Sequence, residues 1–149
     1  MSEEKGEGSI KRDCSIDIKI DAYIPDDYIY NSDTRIEVYK MISCIENEAD
    51  YSDVLDELID RFGEPPKQVI NLMDIAKIRF QSAEKGLSEI KESNGRLLIF
   101  SYNDPPIEKI PELTAAFRGR LLFSAGAKPY FTLRSDSYIK DMELFLDNL

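Results

Sequence analysis

The sequence predicts a single α+β domain, and three observations lead to this prediction. The chain has 149 residues, of which 42% are hydrophobic and 32% charged, and this suits one domain with its own core. From about residue 34 to residue 86, apolar residues recur at helical spacing. After Gly86 their spacing changes toward two, as in strands. We therefore expect an N-terminal strand, then a helical region, then a small sheet (a hairpin plus a strand pair) with two further helices.

Strand patterns lie on both sides of the helical region. In SIDIKI, residues 15–20, isoleucines alternate with charged residues and would share one face of a strand. Asn94 and Gly95 separate LSEIKES from RLLIFSY, and this dipeptide is the strongest short signal for a hairpin turn. The later segments RLLFSAG and PYFTLRS predict a second strand pair.

Helix patterns occur in five segments. They cover about residues 34–46, 52–62, 66–86, 105–119 and the end of the chain from Tyr138. Ser32 or Asp33 is expected to cap the first helix, and Ser135 or Asp136 the last. In the first helix, Ile36 is expected on the apolar stripe. The loops between the first three helices are short, so these helices should pack as antiparallel neighbours.

The end of the second helix contains an acid in an unfavourable place. In ELIDRFGEPP, residues 57–66, Gly63 suits a left-handed cap and the two prolines prevent continuation of the helix. Asp60 lies in the last turn, where the helix dipole makes a negative charge unfavourable by about 0.3–1 kcal/mol. A carboxylate at this position therefore requires an explanation.

Composition argues against several classes of function. The formal net charge is -10 and the pI about 4.5, so nucleic acid and anionic membranes would be repelled and a basic protein surface attracted. The chain contains no histidine, the commonest general base and metal ligand. No glycine-rich phosphate loop is present, which argues against an ATP site. We expect no cofactor, no metal and no small-molecule ligand.

The expected location is the cytoplasm. No apolar run is long enough to cross a membrane, and the N-terminus does not have the pattern of a signal peptide. Cys14 and Cys44 could form a disulfide, but two buried or half-buried thiols are the preferred interpretation for a cytoplasmic protein. Residues 1–14 have no periodicity and are predicted to be a linker or tail, with the domain at 15–149.

The polar face of the second helix is the main candidate for a binding site. Helical spacing places Asp53, Asp56, Glu57, Asp60 and Arg61 opposite the apolar stripe. Such a face is either a solvated surface or an electrostatic patch that docks basic residues, with Arg61 as a bidentate fork. The residues alone leave both interpretations open.

Another acid pair, Asp26 and Asp27, could in principle serve metal binding or acid–base chemistry. Adjacent carboxylates rarely converge on one ion, and a turn is the preferred interpretation. A hydrolase that uses these residues or Asp60 is the weakest functional hypothesis.

Four segments are informative in combination: LIDRFGEPP with Glu57 before it, AYIPDDYI at 22–29, DTRIEVYK at 33–40 and PKQVINLMDIAKIR from residue 66. Together they resemble the C-terminal domain of the bacterial transcription-repair coupling factor. The resemblance extends from about Ser15 to Gly86, and beyond that only the order of elements is similar.

The resemblance implies a regulatory role. The full family protein is an ATP-driven translocase that removes stalled RNA polymerase and recruits the excision-repair protein UvrA. The motor motifs are absent here, so the chain is expected to be a non-catalytic terminal module. It would dock on the UvrB-like N-terminal module of its parent and hide the UvrA-binding surface until RNA polymerase is engaged. Glu57, Asp60 and Arg61 match the family's partner-facing positions, and helix geometry adds Asp53 and Asp56.

An alternative of a different class is a small acidic protein that mimics nucleic acid and occupies a basic protein groove. The net charge of -10 motivates it. It requires carboxylates distributed over the surface like phosphates, whereas clustering on one helix would count against it.

Overall fold

A five-stranded sheet and helices on one of its faces form the framework of the protein. The structure is a computed structural model and describes residues 13–103 and 107–149. In chain order the elements are β1 (Ser15–Asp17), α1 (Ser32–Ser43), α2 (Glu48–Phe62), α3 (Lys67–Glu84), β2 (Leu87–Ser93), β3 (Arg96–Ser101), a 3-10 helix (Ile107–Lys109), α4 (Ile110–Phe117), β4 (Leu121–Ser124), β5 (Tyr130–Arg134) and α5 (Tyr138–Asp147). The predicted α+β class is confirmed.

The sheet has the strand order β1-β2-β3-β5-β4. β1 pairs with β2 in parallel, and all other neighbours are antiparallel. The hairpin predicted at Asn94 and Gly95 joins β2 to β3, and both residues have positive φ, 53° and 77°. That conformation matches the right-handed twist of the flanking strands and explains why this dipeptide is favoured here. The predicted later strand pair is β4 and β5.

One face of the sheet is covered and the other is open. On the covered face, Ile90, Ile99 and Phe131 are paired across three strands and fully buried. The Phe131 ring meets Phe145 of α5 edge to face, with ring centroids 5.3 Å apart. In the part of the chain that the structure describes, the helices that contact the sheet all pack on this face. The alternate residues of β2 to β5 therefore point away from every described helix.

Helix α3 belongs to two cores at once. Ile78 packs with the strands, α4 and α5, whereas Val69, Met73 and Phe80 pack with α1 and α2. All four side chains are buried. The sheet and the α1–α2 pair are thus held together through opposite sides of one helix.

The start of α1 differs from its prediction. Asn31 is the N-cap, and its side chain accepts a hydrogen bond of 3.0 Å from the backbone N–H of Thr34. The predicted caps, Ser32 and Asp33, lie inside the helix. Ile36 was expected on the buried stripe but is 54% exposed. Successive steps of three residues drift by about 60° around a helix, so Ile36 lies about 120° away from Ile42, on whose side the core of α1 is buried.

Two other helix starts also differ. Asn47 caps α2, accepting from the Asp50 N–H at 2.8 Å, so α2 begins four residues before the predicted start at residue 52. The N-cap of α5 is Ser137 rather than Ser135 or Asp136. Ser135 is used differently, since its hydroxyl accepts from the Ser137 N–H at 3.1 Å.

Two elements are shorter than predicted. The first strand pairs only over Ser15–Asp17, because β1 is an edge strand and the chain then leaves the sheet. Helix α4 starts at Ile110, and Pro111 lies in its first turn, where a missing N–H does not disrupt a helix. Residues 105 and 106 of the predicted helix lie outside the described residues.

The two cysteines are free and far from equivalent. Cys14 is buried in the sheet core, but Cys44 is exposed, so the expectation of two buried or half-buried thiols is wrong for Cys44. Cys44 follows the last turn of α1, which carries it to the surface. The predicted tail lies mostly in residues 1–12, outside the described part, and stays a prediction.

A buried carboxylate ties α5 to the end of β5. Asp141 accepts from Arg120 at 2.8 Å and from the Ser135 hydroxyl at 2.5 Å, and its side chain is only 12% exposed. Burial alone would raise the Asp141 pKa, but the hydrogen bonds from Arg120 and Ser135 and the guanidinium charge outweigh burial and hold that pKa below its ordinary value.

We expect Asp141→Asn to lower the free energy of unfolding at pH 7 by about 1–3 kcal/mol, because it removes a buried charged acceptor. The folded pKa lies below the unfolded one, so the carboxylate stabilises the fold fully above about pH 4. This contribution is lost as the pH falls through the lowered folded pKa. The variant should therefore lose less stability than the wild type on acidification below about pH 4.

Urea unfolding at a series of pH values measures both effects. Asp53→Asn is the control, since the exposed Asp53 carboxylate accepts no hydrogen bond from the described residues. Identical acid profiles for the wild type and Asp141→Asn would contradict the assignment.

On the open face of the sheet, Arg96 of β3 lies directly opposite Arg134 of β5. Like charges in this position destabilise a strand pair. We expect Arg96→Glu to raise the free energy of unfolding by about 0.2–1 kcal/mol at low ionic strength, because a cross-strand ion pair replaces a repulsion. The gain should shrink in high salt.

Urea unfolding at two salt concentrations tests this expectation, with Arg96→Gln as the control that removes repulsion without adding attraction. A loss of stability in Arg96→Glu would show that the two guanidinium groups do not repel each other in the fold.

Candidate docking surface on helix α2

Helix α2 is anchored at both ends by side-chain hydrogen bonds. Asn47 caps its N-terminus, and the Tyr28 hydroxyl donates to the backbone oxygens of Leu58 and Gly63 at 3.3 and 2.8 Å. Gly63 has φ 86°, which a residue without a side chain adopts easily, and its N–H closes the last turn on Ile59. Leu58 is fully buried against the helical core. The orientation of the polar face is therefore fixed.

All five predicted site residues lie on the exposed side of this anchored helix. They are Asp53, Asp56, Glu57, Asp60 and Arg61. Helical spacing places them on one polar surface, and Leu58 is buried on the other side. None is consumed by packing inside the fold, so the surface is accessible to a partner. Their role stays a prediction.

Arg61 is held between two carboxylates. Its guanidinium donates to Glu57 at 3.0 Å and lies 3.6 Å from a carboxylate oxygen of Glu37 on α1. It also lies 4.9 Å from the centre of the Phe62 ring. Arg61 is thus oriented by neighbours on two helices while its side chain stays 39% exposed.

Sequence reasoning missed Glu37. The residue occurs in the DTRIEVYK segment, but nothing in the local pattern shows that it meets α2. The contact arises because α1 and α2 pack side by side on α3. The candidate surface therefore includes Glu37 on α1 as well as the polar face of α2.

The remaining three acids, Asp53, Asp56 and Asp60, have no cationic partner among the described residues. Arg61 adds a cation to the same last turn, but its guanidinium bonds Glu57 and forms no ion pair with Asp60. The Tyr28 hydroxyl donates to backbone oxygens at this helix end and makes no hydrogen bond with the Asp60 carboxylate. The carboxylate remains available to an external cation.

The apolar stripe of α2 is less completely buried than predicted. Ile59 is 44% exposed and does not pack against the core formed with α1 and α3, although Phe62 in the same turn does. Leu58 on the same turn is fully covered. An exposed isoleucine therefore lies beside Asp60 at the end of the charged face.

The other chemical candidates have structural explanations. Asp26 and Asp27 are exposed in a turn closed by a 3.1 Å hydrogen bond from the Tyr28 N–H to the Pro25 oxygen. Burial, with the charges of Asp13 and Glu89, raises the pKa of Cys14 to about 12, so its thiol stays protonated and is a poor nucleophile at neutral pH.

Metal and membrane signals are also absent from the described ranges. There, no group of three or more histidine, cysteine or acidic side chains is arranged to hold a metal ion. Within the same ranges, every helix is too short or too polar to cross a membrane.

Comparison with known proteins gives a consistent result at the level of family and fold. The family model of the TRCF domain matches residues 18–110. Transcription-repair-coupling factors are 37% identical over 87 residues in Staphylococcus epidermidis and 34% identical over 110 residues in Staphylococcus aureus. These matches cover 58% and 74% of this chain, but only 7% and 9% of the relatives' own lengths.

A solved structure shows the same fold. The crystal structure of a C-terminal domain of transcription-repair coupling factor aligns with a TM-score of 0.81 and 21% sequence identity. The alignment covers 93% of this chain and 92% of that one. The family match includes α1, α2 and α3, and the fold match extends to nearly the whole chain. The chain therefore belongs to the TRCF domain family.

Proposed function

We propose that this domain is a non-catalytic regulatory module of a transcription-repair coupling factor. It docks through the α2 surface on the UvrB-like N-terminal module of its parent protein. In the docked form it masks the surface that binds UvrA, and engagement with RNA polymerase releases it. The observation that carries the proposal is the exposed row of Asp53, Asp56, Glu57 and Asp60 around Arg61 on a rigidly anchored helix.

Arg61 is suited to exchange partners. Its two ion pairs are exposed, and such pairs contribute only about 0.2–1 kcal/mol each. A partner carboxylate could therefore replace Glu57 or Glu37 at little cost. The guanidinium is already oriented, so less side-chain freedom is lost when it forms a bidentate contact.

Asp60 favours a basic partner for a second reason. A lysine or arginine of the partner would neutralise a carboxylate that is unfavourable beside the carbonyl end of α2. The exposed Ile59 next to it offers an apolar contact at the edge of the charged face. A few such contacts are sufficient for a switch, since moving a closed form from 99% to 1% of the population requires about 5.5 kcal/mol.

The nucleic-acid mimic has less support. A mimic needs negative charge around the surface, whereas the open face of the sheet carries exposed cations, among them Arg96 and Arg134. The acids of the candidate surface are concentrated on α2 and the adjoining side of α1. Exposed acids also occur elsewhere, as at Glu112 and Asp147, so the case against a mimic rests on these cations, which a basic groove would repel.

The test is the triple variant Glu57→Ala, Asp60→Ala and Arg61→Ala in the full-length parent protein. We expect UvrA binding by the resting protein to rise about tenfold or more, because a loss of 1.4 kcal/mol in the closed form already gives a factor of ten. Binding to immobilised UvrA, measured without RNA polymerase, gives the readout.

The matched control is Glu112→Ala, Asp147→Ala and Arg118→Ala, which removes the same charges from exposed positions on α4 and α5 or beside them. It should leave UvrA binding unchanged. The docking proposal fails if the α2 variant keeps its helicity and thermal stability but binds UvrA no better than the control.

A further inference from the structure

The open face of the sheet forms a second surface, distinct from α2. Successive residues of β2 to β5 point to opposite faces of the sheet. The outward row across β2, β3, β5 and β4 is Lys91, Leu98, Thr132 and Leu122. The covered face carries the buried core, and no described helix packs on the outward side. Antiparallel sheets commonly leave one face to water, but such faces are then usually polar.

This face is instead partly aromatic. Phe100 and Tyr130 are paired across β3 and β5 and stack with ring centroids 5.3 Å apart. Lys91 and Lys128 lie 5.7 and 5.8 Å from the centre of the Phe100 ring. Both ammonium groups are thereby held beside the aromatic pair.

Further apolar area surrounds the aromatic pair. Leu98 is half-buried on β3, and Leu122 on the edge strand β4 is 64% exposed. Neither belongs to one of the two cores. Leucine and aromatic side chains thus form the centre of a face with exposed cations around it and with Asp17 and Glu89 beside Lys91.

The cations on this face form no direct ion pairs with the described residues. Lys91, Lys128, Arg96 and Arg134 are exposed, and within the described ranges no carboxylate lies within ion-pair distance of any of them. Arg96 and Arg134 even face each other in register. Two guanidinium groups in register on a chain with net charge -10 form a local site that an anionic group would stabilise.

We propose that the open sheet face binds an acidic polypeptide segment that also carries apolar side chains. Its carboxylates would pair with the two arginines and two lysines, and its apolar groups would cover Leu122 and the aromatic pair. The inference is independent of the α2 surface, because it concerns the opposite side of α3 and a partner of opposite charge.

A protein segment fits this face better than single-stranded nucleic acid. Nucleic-acid binding depends on neutralisation of many phosphates, and a chain with net charge -10 opposes a long polyanion. Asp17 and Glu89 also point outward on the same side of the sheet, beside Lys91 and Phe100. The exposed leucine has no use in contacts with phosphates but can pack against an apolar side chain.

The test is a selection of random 16-residue displayed peptides on the full chain, with counter-selection on Arg96→Glu with Arg134→Glu. An enriched peptide, labelled with fluorescein, is then titrated by fluorescence anisotropy, and labelled dT15 is titrated in parallel. We expect enriched peptides rich in Asp and Glu together with Leu, Phe or Tyr. We expect the double variant to weaken their binding at least tenfold, and Leu122→Ser to weaken it several-fold.

The control variant Lys40→Glu with Lys67→Glu makes the same change of net charge at exposed positions on α1 and α3. It should reduce binding by less than threefold, and the variants' melting temperatures show whether the fold is kept. The proposal is overturned if no acidic peptide is enriched, if both double variants weaken binding equally, or if dT15 binds the face more tightly than the peptides. Loss of UvrA masking in the α2 variant would leave peptide binding unchanged.

Discussion

The fold depends on the burial of α3 from two sides. Its Val69 and Met73 lie in the core with α1 and α2, and Ile78 lies in the core under the sheet. Each fully buried aliphatic side chain contributes about 1.5–3 kcal/mol, so the helix receives support from two hydrophobic clusters rather than one. The α2 surface and the open sheet face owe their fixed separation to this shared helix.

Much of the fold was predictable because its signals are local. Helical spacing and the Asn94–Gly95 turn depend on neighbouring residues, and the helices and the hairpin occur where expected. The start of α1 was missed because several residues that can cap a helix are adjacent in the sequence. Asn31 is the N-cap, and Ser32 and Asp33 follow it inside the helix. The parallel pairing of β1 with β2 joins segments more than 70 residues apart, and no local pattern contains that information.

The candidate surfaces also contain some residues that the sequence predicts and others that only the folded structure brings together. The exposed face of α2 follows from helix geometry, so its five charged residues could be named from sequence alone. Glu37 could not, because its approach to Arg61 requires the packing of two helices. The cations of the open sheet face are spread over Lys91 to Arg134, and only strand register brings them together. The composition gives only the net charge of the whole chain, which is acidic, and does not show where folding brings like charges together.

The double burial of α3 has a consequence for how this module can diversify. A change of side-chain volume on either buried side of α3 disturbs one of the two hydrophobic clusters, so few substitutions there are tolerable. The charged residues of α2 and of the open sheet face lie on opposite sides and contribute little to either core. The charges of each surface can therefore change without destabilising the fold or altering the other surface, whereas few changes are tolerated on the helix between them.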